Sequence, residues 1–257
     1  MPPRKELNEI ELKHKTISIR LAIFFACLIL ADFLLMSLFF GWQDWVACLI
    51  FSLLFIVPAY ISNASMVIMG GGKPIDGGKV LNDGRRLFGD HKTWNGLIKG
   101  PLYIGIPVSI GIFLLFVLLW PFILPVIEVA NTEGQYNLYT NLSTFRYYFI
   151  GGVFPIGFLS LILRIFLCSY GAALGDLIGS FLKRRLNVES GAFLPLVDEL
   201  DFAIFAIFFT SIPAFFLSEY FWFPDLYMII FLFILTPAVS VIANTVAYGI
   251  GLKEVPW

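Results

Sequence analysis

Residues 17–40 read ISIRLAIFFACLILADFLLMSLFF, a run in which Arg20 and Asp32 are the only charges. A helix needs about 20 consecutive apolar residues to cross the hydrocarbon of a bilayer. This stretch exceeds that length, and it exceeds the roughly 7–15 apolar residues of a signal-peptide core. No small-residue cleavage site precedes it, so the sequence predicts a retained spanning helix. Five more runs have the same character: Trp45–Ile61, Pro101–Ile127, Tyr148–Tyr170, Phe202–Leu217 and Leu226–Tyr248. The fifth is the shortest. The chain therefore reads as an all-α, polytopic membrane protein with about six transmembrane helices and two polar loops on one face.

Composition agrees. Of 257 residues 59% are hydrophobic and only 14% charged, and the mean hydropathy is +0.86; a soluble domain has no interior large enough to hide that much apolar surface. A net charge of -1 argues against nucleic acid as a partner. The three cysteines, Cys27, Cys48 and Cys168, all lie in apolar runs and read as small buried hydrophobes. With His14 and His91 alone, histidine-centred catalysis and histidine-rich zinc sites are disfavoured.

Orientation follows from the bases, because Lys and Arg accumulate in cytoplasmic loops. The leader carries Arg4, Lys5, Lys13, Lys15 and Arg20. Residues 62–100 carry Lys73, Lys79, Arg85, Arg86, Lys92 and Lys99; residues 181–201 carry Lys183, Arg184 and Arg185; the tail carries Lys253. Six spans put all of these on one face. Only Arg146 falls on the other, and Arg164 inside the fourth span. Both termini and the two basic loops are accordingly expected in the cytoplasm, with an Asn141-Leu142-Ser143 sequon opposite.

Three polar features interrupt the apolar pattern. Residues 63–100, NASMVIMGGGKPIDGGKVLNDGRRLFGDHKTWNGLIKG, combine glycine with base and acid. Glycine lets backbone N–H groups approach phosphate oxygens, and Lys and Arg supply countercharge. The P-loop pattern fails, since Gly78 stands where its lysine belongs. A phosphate cradle and a flexible positive-inside loop are both open readings. Next, Gly171, Gly175 and Gly179 form a smooth ridge for close helix packing, beside Asp176, Ser180 and Lys183 on an adjoining face. Lys183-Arg184-Arg185 also fits a simple headgroup anchor. Finally, if Pro195 starts a helix, Asp198 and Asp201 lie one turn apart, where two carboxylates can hold Mg²⁺ or merely complement the helix dipole. Glu199 then points elsewhere, into solvent. In the sixth run Thr236, Ser240 and Asn244 make a polar stripe that must face protein or a hydrophilic substrate.

Together these pieces suggest phosphoryl or nucleotidyl transfer to a lipid at one membrane face. The segments Ala64–Gly72, Pro74-Ile75-Asp76, Gly84-Arg85-Arg86, Gly89-Asp90 and Lys92 to Gly96 resemble the first cytoplasmic loop of archaeal CDP-archaeol synthases. The likeness continues through Gly175-Asp176-Leu177, Ser180-Phe181, Lys183-Arg184-Arg185, Pro195 and Asp198 to Phe202. It ends with Leu235-Thr236-Pro237, Asn244, Ala247-Tyr248 and Gly251 to Trp257, and spans roughly residues 50–257. That family is similar to the CTP-dependent phosphatidate cytidylyltransferases.

The resemblance implies transfer of CMP from CTP to 2,3-di-O-geranylgeranylglycerol 1-phosphate, an isoprenoid glycerol phosphate lipid, with Mg²⁺ as cofactor. It implies catalytic roles for Asp198, Asp201 and Lys183, with Asp198, Asp201 and Asp176 on the metal. Substrate contacts fall to Gly70, Gly71, Gly72, Asp76, Arg85, Arg86, Asp90, Lys92, Thr93, Arg184 and Asn244. Residues 1–45 become a leader with an additional span, and 46–257 the cytidylyltransferase membrane domain. Glu199 departs from the pattern, which has glutamine. Two other readings compete. A CDP-alcohol phosphotransferase needs a motif that Asp76-Gly77-Gly78-Lys79 begins and does not complete. A transporter, with Asp32, Arg164 and the polar stripe as its pathway, needs repeat symmetry that the sequence lacks.

Overall fold

Seven α-helices make up most of the described residues, and the two basic polar segments meet at one end of the molecule. The computed structural model describes residues 8–133, 142–188, 194–251, 253 and 255; Asn141 of the sequon and Gly191 to Phe193 lie outside these. Helix α1 (Glu9–Phe39) opens on a capping box in which Asn8 and Glu11 satisfy each other's backbone N–H. It is followed by α2 (Trp42–Ile68), α3 (Ile106–Glu133), the short α4 (Leu142–Ile150), α5 (Ile156–Arg185), α6 (Val197–Ser211) and α7 (Leu226–Gly249). No strand forms among the described residues, only two isolated bridges. This is what a bilayer demands, since a helix satisfies its own backbone polar groups.

Five helices are long and apolar enough to cross a membrane: α1, α2, the continuous helix from Asn95 to Glu133, α5 and α7. The fifth apolar run is a different object. Its α6 has 15 residues, about 22 Å at 1.5 Å per residue, and is prolonged by the 3-10 turn Ile212–Phe215. The chain still reaches the far end, where Trp222 packs on Phe51 of α2 and Phe221 on Tyr148 of α4. The fifth run is thus a short helix continued by irregular chain, and five helices rather than six have the length and apolarity to cross.

Two boundaries differ from the sequence reading. The third span begins at Asn95 rather than Pro101, through two π-helical segments, Asn95–Lys99 and Pro101–Gly105. There a Cβ on Gly96 or Gly100 would meet the backbone of Met66 at 2.9 Å, and one on Gly105 would strike Ser62. The widened turn keeps three glycines, spaced four and five residues apart, against α2. The fourth run is split: Tyr148 belongs to α4, and Gly151 and Gly152, both left-handed, turn the chain before α5 starts at Ile156. As expected, α5 continues past the apolar run to Arg185.

Several embedded polar groups have partners inside the bundle. Asp32 accepts from Trp45 Nε1 at 2.8 Å and from the Tyr227 hydroxyl at 3.1 Å, tying α1 to α2 and α7. Tyr60 donates to Thr236 at 3.0 Å, and Lys253 to Asn244 at 3.0 Å. These contacts occupy much of the polar path that a transporter would have required.

Candidate active site

The glycine-rich loop is a folded unit whose shape depends on one carboxylate. Asp76 accepts from the backbone N–H of Gly78, Phe88 and Gly89 at 3.0–3.1 Å and from Arg86 at 2.6 Å. Around it the backbone pairs Ile75 with Lys92 and Leu87 with Lys79, and the left-handed turns at Gly77, Gly78, Gly84 and Gly89 close the hairpins. Burial alone would favour the neutral acid, but Arg86 and the three backbone donors hold the Asp76 carboxyl well below the usual carboxylate range. The stability it contributes is present above the ordinary value of 3.8 and is lost as pH falls through the depressed value. Asp76→Asn is expected to cost about 1–3 kcal/mol of local stability, seen as faster limited proteolysis within residues 70–94.

The second basic segment clamps this loop. Arg185, at the end of α5, donates to Asp83 at 2.5 Å and to the carbonyl of Arg86 at 2.5 Å, and Arg85 returns a bond to the carbonyl of Arg185 at 2.5 Å. Residues 63–100 and 171–185 therefore converge at one end of the molecule.

Between them lies a cleft of about 490 Å³. Its loop wall is Gly70, Gly71, Gly72, Asp90, Lys92 and Thr93, and its α5 wall is Asp176, Ser180, Lys183 and Arg184. Met66, Val67, Leu97, Ala173 and Leu177 form an apolar floor. Nine residues expected at the site thus surround one cavity. Gly71 and Gly72 have left-handed backbones, and Asn95 Nδ2 holds the carbonyl of Gly71 at 3.2 Å.

Other expected contacts are placed elsewhere. Asp76 is enclosed in the loop, Arg86 pairs with Asp76 and Asp90, and Arg85 serves the clamp. None of the three lines the cleft, and neither does Asn244, which is held by Lys253 near the end of α7. Conversely, Asn63 and His91 line it. Asn63 is a polar residue in the last turns of an apolar helix, which was the available signal.

The carboxylates come from α5 and α6, whose contact the glycine ridge makes possible. A Cβ on Gly171 would meet the carbonyl of Phe205 at 2.8 Å, and one on Gly175 the Cα of Phe202 at 2.8 Å; one on Gly179 would occupy the place of the Asp201 carboxylate. Asp201 is thus seated over α5; neither it nor Asp198 is among the residues lining the cleft, and burial, then the charge of Asp176, push the Asp201 carboxyl up to about 8. Asp176 is paired with Lys92 at 2.6 Å, while Asp198 is paired with Lys183 and accepts from Leu194 N–H at 3.1 Å. Helix α6 begins at Val197, two residues beyond Pro195, with a left-handed Leu196 as its cap. The expectation for Glu199 is overturned. It is 4% exposed, its Oε2 has no hydrogen-bond partner, and burial, then Asp198, push its carboxyl up to about 7.

No three His, Cys, Asp or Glu side chains among the described residues form a ready metal-ligand group. The donors that suit a hard divalent cation are Asp176 and Asp201: two oxygen ligands whose mutual repulsion is visible in Asp201. Mg²⁺ is commonly held by one or two carboxylates together with substrate phosphates.

Comparison with known proteins places this geometry. The family model for CarS-like CDP-archaeol synthases matches residues 45–132 and 135–257. CDP-archaeol synthase of Thermococcus kodakarensis is 38% identical over 84% of this chain and 100% of its own length, and that of Methanocaldococcus jannaschii 37% identical over 80% and 96%. A solved structure described as "Structural insight into an intramembrane enzyme for archaeal membrane lipids biosynthesis" is 29% identical, with a TM-score of 0.44, over 77% of this chain and 92% of that one. With the family match running almost without interruption from Trp45 to the last residue, the chain belongs to the CDP-archaeol synthase family.

Proposed function

We propose that this enzyme transfers CMP from CTP to 2,3-di-O-geranylgeranylglycerol 1-phosphate, giving unsaturated CDP-archaeol and pyrophosphate, with the cleft and both termini on the cytoplasmic side. The observation that supports this best is the convergence of Lys92, Lys183, Arg184 and Asp176 with a glycine-lined wall around one cavity, with Asp201 near enough to Asp176 to feel its charge.

In this reading a phosphate oxygen of the lipid attacks the α-phosphorus of CTP. The bond to the bridging oxygen of the β-phosphate breaks, and pyrophosphate leaves with the electron pair. The acceptor is already an anion, so no general base is needed. The cations Lys92, Lys183 and Arg184 receive the triphosphate charge, and backbone N–H groups of Gly70 to Gly72 orient it. Asp176 and Asp201 are the residues to hold Mg²⁺, with Asp198 able to join once Lys183 turns to phosphate. Such an ion neutralises the charge that develops between the α-phosphate and the leaving pyrophosphate. Met66, Val67, Leu97 and Leu177 offer the lipid chains an apolar approach.

The test is incubation of the detergent-solubilised protein with radiolabelled CTP, Mg²⁺ and the lipid phosphate. Label is expected in a chloroform-soluble product, in a 1:1 ratio with released pyrophosphate. Binding of CTP without incorporation into any lipid phosphate would exclude the reaction. Label transferred only from a CDP-lipid to an alcohol would instead indicate a phosphotransferase.

A further inference from the structure

Arg164 is among the largest fully buried side chains in the protein, and no carboxylate among the described residues meets it. Its guanidinium lies over the rings of Phe113, Phe149 and Tyr148 at 4.5, 5.0 and 5.3 Å, while Nε and Nη2 have no hydrogen-bond partner. A cation in the apolar bundle without a counter-ion is expensive, so something must require it there.

The requirement is on α2. Pro58 stands inside that helix, and a proline has no N–H, so the carbonyl four residues earlier loses its helical donor. That carbonyl is Leu54, and Arg164 Nη1 donates to it at 3.1 Å and to the neighbouring carbonyl of Phe55 at 3.5 Å. One turn further along α5, Cys168 Sγ donates to the Phe55 carbonyl at 3.5 Å. Two side chains of α5 thus replace the donors weakened or lost at the proline.

Beyond the break, residues 59–68 of α2 carry Asn63, Met66 and Val67 to the cleft and receive Gly96 and Gly100 of the π-helical segments. Proline breaks bend helices, commonly by more than about 20°. Over nine residues, about 14 Å of helix, a 20° change of direction moves the end by about 5 Å. We infer that Arg164 is a positioning residue: by bonding the Leu54 carbonyl that Pro58 leaves open, it fixes the direction in which the last turns of α2 enter the cleft. The kinetic consequence rests on the proposed reading of the cleft as the CTP site; the structural consequence does not.

The experiment is a cycle of Arg164→Met, Pro58→Ala and the double variant, with Arg164→Lys as the conservative change, made in the full chain in detergent. Alanine at 58 restores the N–H that Leu54 lacks. Arg164→Met alone is expected to lower the melting temperature by about 5 °C and to raise KM for CTP about tenfold with a smaller change in kcat. The double variant should regain most of the lost melting temperature, and Arg164→Lys, which keeps a donor, should fall between wild type and Arg164→Met. Additive losses in the double variant would overturn the inference, as would an unchanged KM in Arg164→Met. If Arg164→Met does not fold, a folded double variant supports the inference and an unfolded one opposes it. A wild-type protein with no CTP turnover would defeat the functional reading, while the melting cycle would still decide the role of Arg164.

Discussion

Asp201→Asn is expected to reduce CMP transfer by about 10³-fold or more, the scale of losing a principal electrostatic contribution to the transition state, while making the ligand-free protein more stable. The two effects have one origin. Asp201 sits over Gly179, buried and beside Asp176, and its carboxyl is pushed up to about 8. A carboxyl with a raised value binds its proton more tightly when the protein is folded. Between its ordinary value of 3.8 and about 8 the unfolded chain is ionised and the folded one still protonated, so stability falls as pH rises through that window. Above it the folded protein carries the full cost of the charge. Asparagine keeps the volume and the acceptor for Phe202 N–H and removes the charge. Melting curves at pH 6 and pH 9 check this: the variant should gain a few degrees at the higher pH, about 2–4 °C for each 1 kcal/mol relieved, and a smaller amount at the lower, which lies inside the window. An inactive variant that is less stable at both pH values would show Asp201 to be structural, and an active one would remove the metal assignment.

Gly175→Ala is the second large effect, and it acts on the scaffold. An added Cβ there meets the backbone of Asp201 and Phe202, which no side-chain rotation can relieve, so α5 and α6 must separate. The expected cost is about 1–3 kcal/mol from overpacking, together with a loss of turnover because Asp176 and Asp201 move apart. Gly111→Ala, inside α3, is the control: nothing lies within 4 Å of the new methyl, so the rate should not change and the melting temperature should hold or rise slightly. Equal behaviour of the two variants would refute the role given to the ridge.

How much of this was legible in the sequence can be traced residue by residue. Most of the spanning helices and the two polar segments could be read because hydropathy and positive charge are local quantities, summed along the chain. The glycine ridge could be read because a four-residue period is a face. What failed depended on register or on distant partners. Glu199 looked like a solvated acid beside the Asp198 and Asp201 face, yet its own face of α6 is buried, which depends on packing partners distant in the chain. The contacts of Asp76, Arg85 and Arg86 within the loop and with α5 were not legible either, since a base in a loop does not announce which acceptor of the protein it will meet. The partner of Arg164 lies 110 residues away in the chain, and those of Asp32 lie 13 and 195 residues away on other helices, so neither shows in a local reading. The cleft itself was legible as a set of residues, and its apolar floor and Asn63 were not, because those positions look like any other membrane helix.

The hydrogen bonds from Trp45 and Tyr227 to Asp32 bear on how this protein can be shortened. Residues 1–44 lie outside the family match, which begins at Trp45, yet the helix within them supplies the acceptor for an indole and a phenol on the matched part. Trimming the chain to the matched residues would therefore turn two satisfied donors toward hydrocarbon. An amputated version needs phenylalanine at both positions before it can be judged against the intact protein.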